Sequence, residues 1–184
     1  GWNITIVAPT SSIKIPENKI YDFSAMVPMQ VHRSMGQLHR IRTLIVGGGQ
    51  LSDTMIADLS GIKTRIFATY GMTETITHVA LSPVNLAASD SYKDQVYKAL
   101  PGIEFSLDHR GCLMIQAPLI SDEQIVTNDL VEMISQTSFK WLGRFDHVIN
   151  SGGIKLIPEM IEAKLNELIE PSFFVFGAKD EVLG

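Results

Sequence analysis

The segment from Arg42 to Thr69 constrains the fold more than any other. RTLIV (42–46) is an apolar, β-branched run that breaks at once into Gly47-Gly48-Gly49. Ser52 stands where a helix N-cap belongs, and Met55, Ile56 and Leu59 then fall on one helical face before Gly61. RIFAT (65–69) begins the next strand. A strand, a short helix and a second strand in this order form a βαβ unit, whose two strands run parallel. The glycines, and the YGMTE that follows RIFAT, therefore lie at carboxyl ends of parallel strands, the edge at which open α/β sheets bind ligands.

The rest of the chain has a different texture. Upstream, Asn3–Ala8 alternates and predicts a strand, Asp22–Pro28 a second strand and Val31–His39 a short helix. Beyond about residue 95, Ile103–Leu107 and Cys112–Gln116 flank the turn DHRG and predict a hairpin. Ile125–Thr127 and Phe139–Leu142 read as further short strands. Together these suggest a small antiparallel β-barrel-like region. HVINSGGIKL (147–156) predicts another hairpin around Gly152-Gly153. Pro158 suits the first turn of a helix with Glu159 and Glu162 near its positive end, and Ile161, Leu165, Leu168 and Ile169 keep helical spacing. Phe173–Phe176 would be one more strand. The expected class is α/β: a parallel βαβ portion, an antiparallel β-barrel-like part, and the start of a small α+β domain. The expected division is residues 1–143, with an α/β part over 1–95 and a β part over 96–143, followed by residues 144–184.

Composition narrows the function. The chain has 184 residues, 45% hydrophobic and 19% charged, as globular domains do, and a net charge of −5 gives no electrostatic reason to expect nucleic acid. One cysteine, Cys112, cannot form an internal disulfide, which suits a cytoplasmic protein. No apolar run approaches the roughly 20 residues that span a bilayer. The chain begins in a strand-like run without an initiator Met and stops soon after SFFVFG, so a portion of a longer chain is expected.

The candidate chemistry gathers in FATYGMTETITH (67–78). Tyr70 offers a ring on which a base can stack, Thr73 a hydroxyl for a phosphate oxygen, and Glu74 a hard carboxylate oxygen for Mg²⁺. GGG alone reads first as a tight strand–helix turn; it is not a dinucleotide fingerprint, and no GxxxxGK[ST] loop occurs. Asp129 in TNDLVE has the chemistry to accept two ribose hydroxyls, although a turn Asp reads the same way. Arg144 in GRFD suits a phosphate or ribose, or a surface ion pair. The five histidines and Cys112 show no metal-ligand spacing.

Taken together, TLIVGGGQLS, YGMTET, TNDLVE and GRFDHVINSGGIKLIPEMIEAKL, in this order over roughly residues 40–165, resemble the adenylate-forming acyl-CoA synthetases, a family that includes luciferases and peptide-synthetase adenylation domains. The resemblance implies ATP, Mg²⁺ and coenzyme A as cofactors, and a carboxylic acid activated first to acyl-AMP and then to a thioester. It places Tyr70 against adenine, Ala68 and Thr69 beside it, and Gly71 and Met72 in the same nucleotide turn. Thr73 would bind the α-phosphate and Glu74 would hold the metal. Gly47, Gly48 and Gly49 would wall adenine from the acyl group, and Asp129 and Arg144 would hold the ribose. Asp146 would mark the hinge of a rotating C-terminal domain, Gly152 and Gly153 the loop facing the site in the thioester-forming state, and Lys155 a contact to the adenylate phosphate. Thr73, Glu74 and Lys155 are the expected catalytic residues. The triple glycine, THVALSPVN after YGMTET, and the short link from TNDLVE to GRFDHV are most similar to o-succinylbenzoate–CoA ligases of menaquinone biosynthesis. Another aryl or fatty acid ligase, a carrier-loading domain and a non-catalytic adenylate-binding module remain alternatives. A homodimer would be in keeping with the family. The family's phosphate loop and terminal lysine would lie outside this sequence, so the 184 residues alone are expected to lack ligase activity.

Overall fold

Parallel pairing in the first part of the chain follows from its helical crossovers. A computed structural model describes residues 1, 3–7, 10–86, 95–166, 168–169 and 173–180. It divides into two compact units, Gly1–Thr69 with Pro83–Tyr92, and Tyr70–Ser82 with Lys93–Gly184. In the first unit β1 (Tyr21–Met26) lies parallel to β2 (Ile41–Val46), with Phe23 opposite Thr43 and Met26 opposite Val46. The strand β3 (Arg65–Gly71) lies parallel to β2 on its other side, with Val46 opposite Ala68. The connection from β1 to β2 runs through α1 (Pro28–Ser34) and a 3-10 turn over Met35–Arg40. The connection from β2 to β3 is α2 (Asp53–Leu59), as the βαβ reading requires.

Local chemistry fixes these boundaries. Pro28 opens α1, where its missing N–H is no loss, and so ends the strand expected to run to that residue at Met26. The helix expected over Val31–His39 starts earlier and tightens to 3-10 geometry after Ser34, next to Gly36, a poor helix former. Ser52 caps α2, its Oγ accepting the Met55 N–H at 3.2 Å. Leu38, Ile41, Leu44, Val46, Ile56, Leu59 and Ile66 are each at most 2% exposed and form the core of this unit. Asn85 stitches its edge: the side-chain amide donates to Ile62 O at 2.8 Å and Thr64 O at 2.7 Å and accepts the Ile66 N–H at 3.0 Å.

The second unit is antiparallel. It contains β4 (His78–Pro83), β5 (Val96–Ala99), β6 (Glu104–Leu107), β7 (Cys112–Gln116), β8 (Ile125–Ser135) and β9 (Ser138–Arg144). These pair in the order β4-β5-β9-β8-β7-β6. The barrel-like region expected from the sequence is overturned: the order runs open to β6, and the fold is mixed, parallel in the first unit and antiparallel in the second. The physical reason lies in strand length. Closure requires tilted, staggered ladders around the whole ring, and the four-residue β5 and β6 are too short to carry them. The core of this unit gathers Val79, Ile103, Phe105, Leu113, Ile115, Val131 and Phe139. Phe139 meets Phe105 edge-on at 5.0 Å and stacks on Tyr97 at 5.6 Å.

The segment after β9 turns through Phe145–His147 into β10 (Ile149–Ser151) and β11 (Ile154–Leu156). Gly152 and Gly153 take φ of 55° and 82°, the left-handed pair that a two-residue hairpin turn demands. Pro158 opens α3 (Pro158–Leu165), so Leu168 and Ile169 lie past its end. Two expected strands do not form. Residues 3–7 are exposed and unpaired among the described residues, Ala8 lying outside them. Over 173–176 the Val175 N–H goes to Glu162 Oε1 at 2.7 Å, a side-chain contact rather than a ladder. Alternation marks a strand only when a neighbour accepts its backbone.

Candidate functional site

Tyr70-Gly71 ends β3 and is followed by a tight turn over Thr73–Thr75. Gly71 is required here because a Cβ would stand 2.6 Å from both His78 Cα and Thr77 O, where the backbone doubles back. Thr75, which the sequence did not single out, is fully buried and organises the turn. Its Oγ1 accepts the Met72 N–H at 2.9 Å and lies within donating distance of Thr77 O at 2.7 Å. Met72 packs against the aromatic core, whereas Thr73 and Glu74 are exposed. The threonines of this stretch thus divide between a buried hydrogen-bonding post and side chains open to solvent.

The antiparallel β8–β9 pair places Asp129 opposite Arg144. Asp129 is only 6% exposed and is ringed by donors. The Tyr70 O–H donates to its Oδ2 at 2.6 Å, and the Trp141 Nε1–H donates to its Oδ1 at 3.1 Å. Arg144 Nη1 stands 3.7 Å from Oδ1. Burial, with the adjacent Asp129 charge, pushes the Tyr70 phenol far above its ordinary pKa, so it remains a donor. The Tyr70 ring lies edge-on to Phe139 at 5.0 Å. Burial also pushes the Tyr97 phenol up to about 12.

Arg144 forks onto Asp146, Nε to Oδ1 at 3.0 Å and Nη2 to Oδ2 at 3.2 Å. This bond holds the Asp146 carboxyl below its usual range and raises Arg144. Arg110, also not singled out, reaches from the β6–β7 turn to Asn128 Oδ1 at 2.9 Å and Thr127 O at 3.0 Å, while its Nε holds Asp108 at 2.7 Å. Its guanidinium sits 5.1 Å over the Phe145 ring. Charge within DHRG was the available signal, but the sequence gives no hint that it reaches 17 residues along to Thr127.

Tyr70, Asp129, Arg144 and Asp146 are thus brought together. The other expected residues stand elsewhere. Ala68 is buried, and the Thr69 O–H donates to Val46 O at 3.2 Å. A Cβ on Gly47 would run into Thr69 Oγ1, so the first glycine is needed for close packing. Gly48 and Gly49 are exposed. Lys155 is exposed on β11 opposite Asn150, beside the Gly152-Gly153 turn. Among the described residues no three His, Cys, Asp or Glu side chains are grouped to hold a metal. A Mg²⁺ here would take one carboxylate, that of Glu74, and its remaining ligands from phosphates and water, as this hard ion commonly does. Among the described residues no helix is long and apolar enough to cross a membrane.

No protein-family model matches the chain, and no curated protein matches it. Solved structures do. An AMP-forming acyl-CoA synthetase/AMP-acid ligase II-like protein from Dyadobacter fermentans is 34% identical, with a TM-score of 0.64 over 92% of this chain and 50% of that one. The o-succinylbenzoate CoA synthetase of Bacillus subtilis, in complex with its acyl-adenylate intermediate, gives a TM-score of 0.71 at 19% identity, over 89% of this chain and 39% of that one. A coronafacic acid ligase variant from Pectobacterium brasiliense gives 0.61 at 20% identity, over 79% and 34%. The chain has the fold of part of the AMP-forming acyl-CoA/acid–CoA ligase superfamily, and it spans half or less of the length of these structures.

Proposed function

We propose that this chain is the nucleotide-binding portion of an AMP-forming acid–CoA ligase. The observation that carries the reading is the buried Asp129 carboxylate held between Tyr70 and Trp141. A buried carboxylate with acceptor capacity left beyond these two bonds suits a vicinal diol. Tyr70 would face adenine, with Ala68 and Thr69 next to it in sequence, and Arg144 would assist at the ribose. Thr73 and Glu74, exposed at the turn, would meet the α-phosphate and Mg²⁺. The cation supplies charge neutralisation on the phosphates when bound. Lys155 would approach the adenylate phosphate, Gly47–Gly49 the acyl side, and Asp146 with Gly152 and Gly153 would serve the change between half-reactions. Coenzyme A would accept the acyl group.

The acid is read more broadly than o-succinylbenzoate. The o-succinylbenzoate synthetases are 18% to 21% identical, a level that speaks for fold alone, whereas the 34% match is to an acyl-CoA synthetase of no stated acid. An aryl or fatty acid ligase, or a domain loading a carrier protein, is therefore the better supported reading. The test is carboxylate-dependent ATP–pyrophosphate exchange by the protein carrying this chain, with o-succinylbenzoate, benzoate, coumarate and a medium-chain fatty acid. Exchange with any acid is expected. Exchange with o-succinylbenzoate alone would restore the menaquinone assignment. No exchange together with no AMP binding would overturn the ligase reading, and AMP binding without exchange would leave an adenylate-binding module.

A further inference from the structure

A carboxylate's terminal torsion is soft, so its orientation is set by partners rather than by rotamer. At Asp129 there are two partners, one per oxygen: the Tyr70 O–H at 2.6 Å on Oδ2 and the Trp141 N–H at 3.1 Å on Oδ1. Arg144 is not the second point. It stands beyond hydrogen-bond distance at 3.7 Å and spends its fork on Asp146. The Asp129 backbone N–H is also occupied, donating to Thr127 Oγ1 at 3.0 Å. An ionised carboxylate has about four acceptor sites, two on each oxygen. Tyr70 and Trp141 use one on each, which leaves one on each.

Trp141 reaches Asp129 because it pairs with Val131, two residues along β8 from Asp129 and so on the same face of the sheet. Asp129 faces Arg144 and Leu130 faces Gly143, but Val131 faces Trp141, so one residue of β9 is skipped. Without this slip Gly143 would stand opposite Asp129, and the slip brings Arg144 there instead. Bulges of this kind re-aim side chains next to active sites. The indole N–H is a donor only, so the contact has one sense.

We infer that Trp141 is a positioning residue for the ribose: its indole N–H, held on the Asp129 face by the Val131 pair, meets Asp129 Oδ1 and fixes the carboxylate so that each oxygen presents one acceptor to one of two vicinal hydroxyls. This rests on the nucleotide-binding reading above. The test is calorimetric binding of AMP and 2′-deoxy-AMP to the full chain, to Trp141→Phe and to Trp141→Met, which keep an apolar body without the N–H. Loss of the N–H should weaken AMP about tenfold, as removal of a hydrogen bond to a charged group does. It should weaken 2′-deoxy-AMP far less, so that the preference for the ribose falls. Equal losses for both nucleotides, no loss for either, or failure of both variants to fold would make Trp141 structural and overturn the assignment while leaving the nucleotide reading intact. No binding of AMP by the unsubstituted chain would overturn both.

Discussion

Asp129 concentrates the residue-scale chemistry. Asp129→Ala removes the acceptor proposed for a diol and strands two donors, the Tyr70 phenol and the Trp141 indole. A hydrogen bond to a charged group is worth about 1.5–3 kcal/mol, so AMP affinity should fall by at least roughly tenfold in a calorimetric titration; unchanged affinity would make Asp129 a fold residue only. Asp108 gives a pH prediction. Burial acts to raise its pKa but is outweighed by the Cys112 N–H and by the Arg110 guanidinium and N–H, which hold it below its ordinary 3.8. A carboxyl depressed in the folded state stabilises the fold above its unfolded value, and that stability is lost as pH falls through the folded one. The melting temperature should therefore drop below about pH 4, and in Asp108→Asn it should start lower at pH 7 and drop less. Equal slopes for the two proteins would remove Asp108 from the acid response. At this scale the motifs single out Tyr70, Asp129 and Arg144, which the structure brings together. Trp141 and Arg110 were hidden, because one depends on which residue of β8 it pairs with and the other on a turn reaching the neighbouring strand.

Among elements, helices and tight turns were legible because their signals are local. Ser52 capping α2, Pro158 at the start of α3, and Gly152-Gly153 between β10 and β11 each follow from one or two residues, whereas Pro28, read as the end of a strand, opens α1. Ser52→Ala should cost about 1 kcal/mol, the usual worth of an N-cap, seen as a lower denaturation midpoint with unchanged slope. Gly71→Ala is a sharper case: its Cβ meets backbone atoms of Thr77 and His78, which cannot swing aside as a side-chain tip can. That variant should lose cooperative melting, and a variant that melts like the parent would show that the turn after β3 relaxes freely. Strands were less legible since they depend on distant partners. Among the described residues the runs at 3–7 and 173–176 have strand texture without a ladder, while β4 and β5 form against neighbours that the local pattern does not announce.

For the molecule as a whole, parallel pairing in the first unit was readable from helical crossovers, but the open antiparallel order of the second was not. Alternation marks each strand without naming its partner, so the pairing order that leaves β6 at an open edge is not written in any one run. The whole-molecule consequence of the candidate site is linkage. A ligand that binds only the folded state stabilises it by RT ln(1 + [L]/Kd), about 2.7 kcal/mol at a hundredfold excess over Kd. For a chain of 184 residues that corresponds to a rise in melting temperature of roughly 5–10 °C. AMP should produce such a rise, 2′-deoxy-AMP a smaller one, and Asp129→Ala should abolish the difference between them, since the ribose hydroxyls then have no acceptor to distinguish. A rise of equal size with inorganic phosphate would assign the effect to the anion instead of the nucleoside. No rise with AMP at any concentration would mean that the carboxylate between Tyr70 and Trp141 holds the sheet together and nothing more.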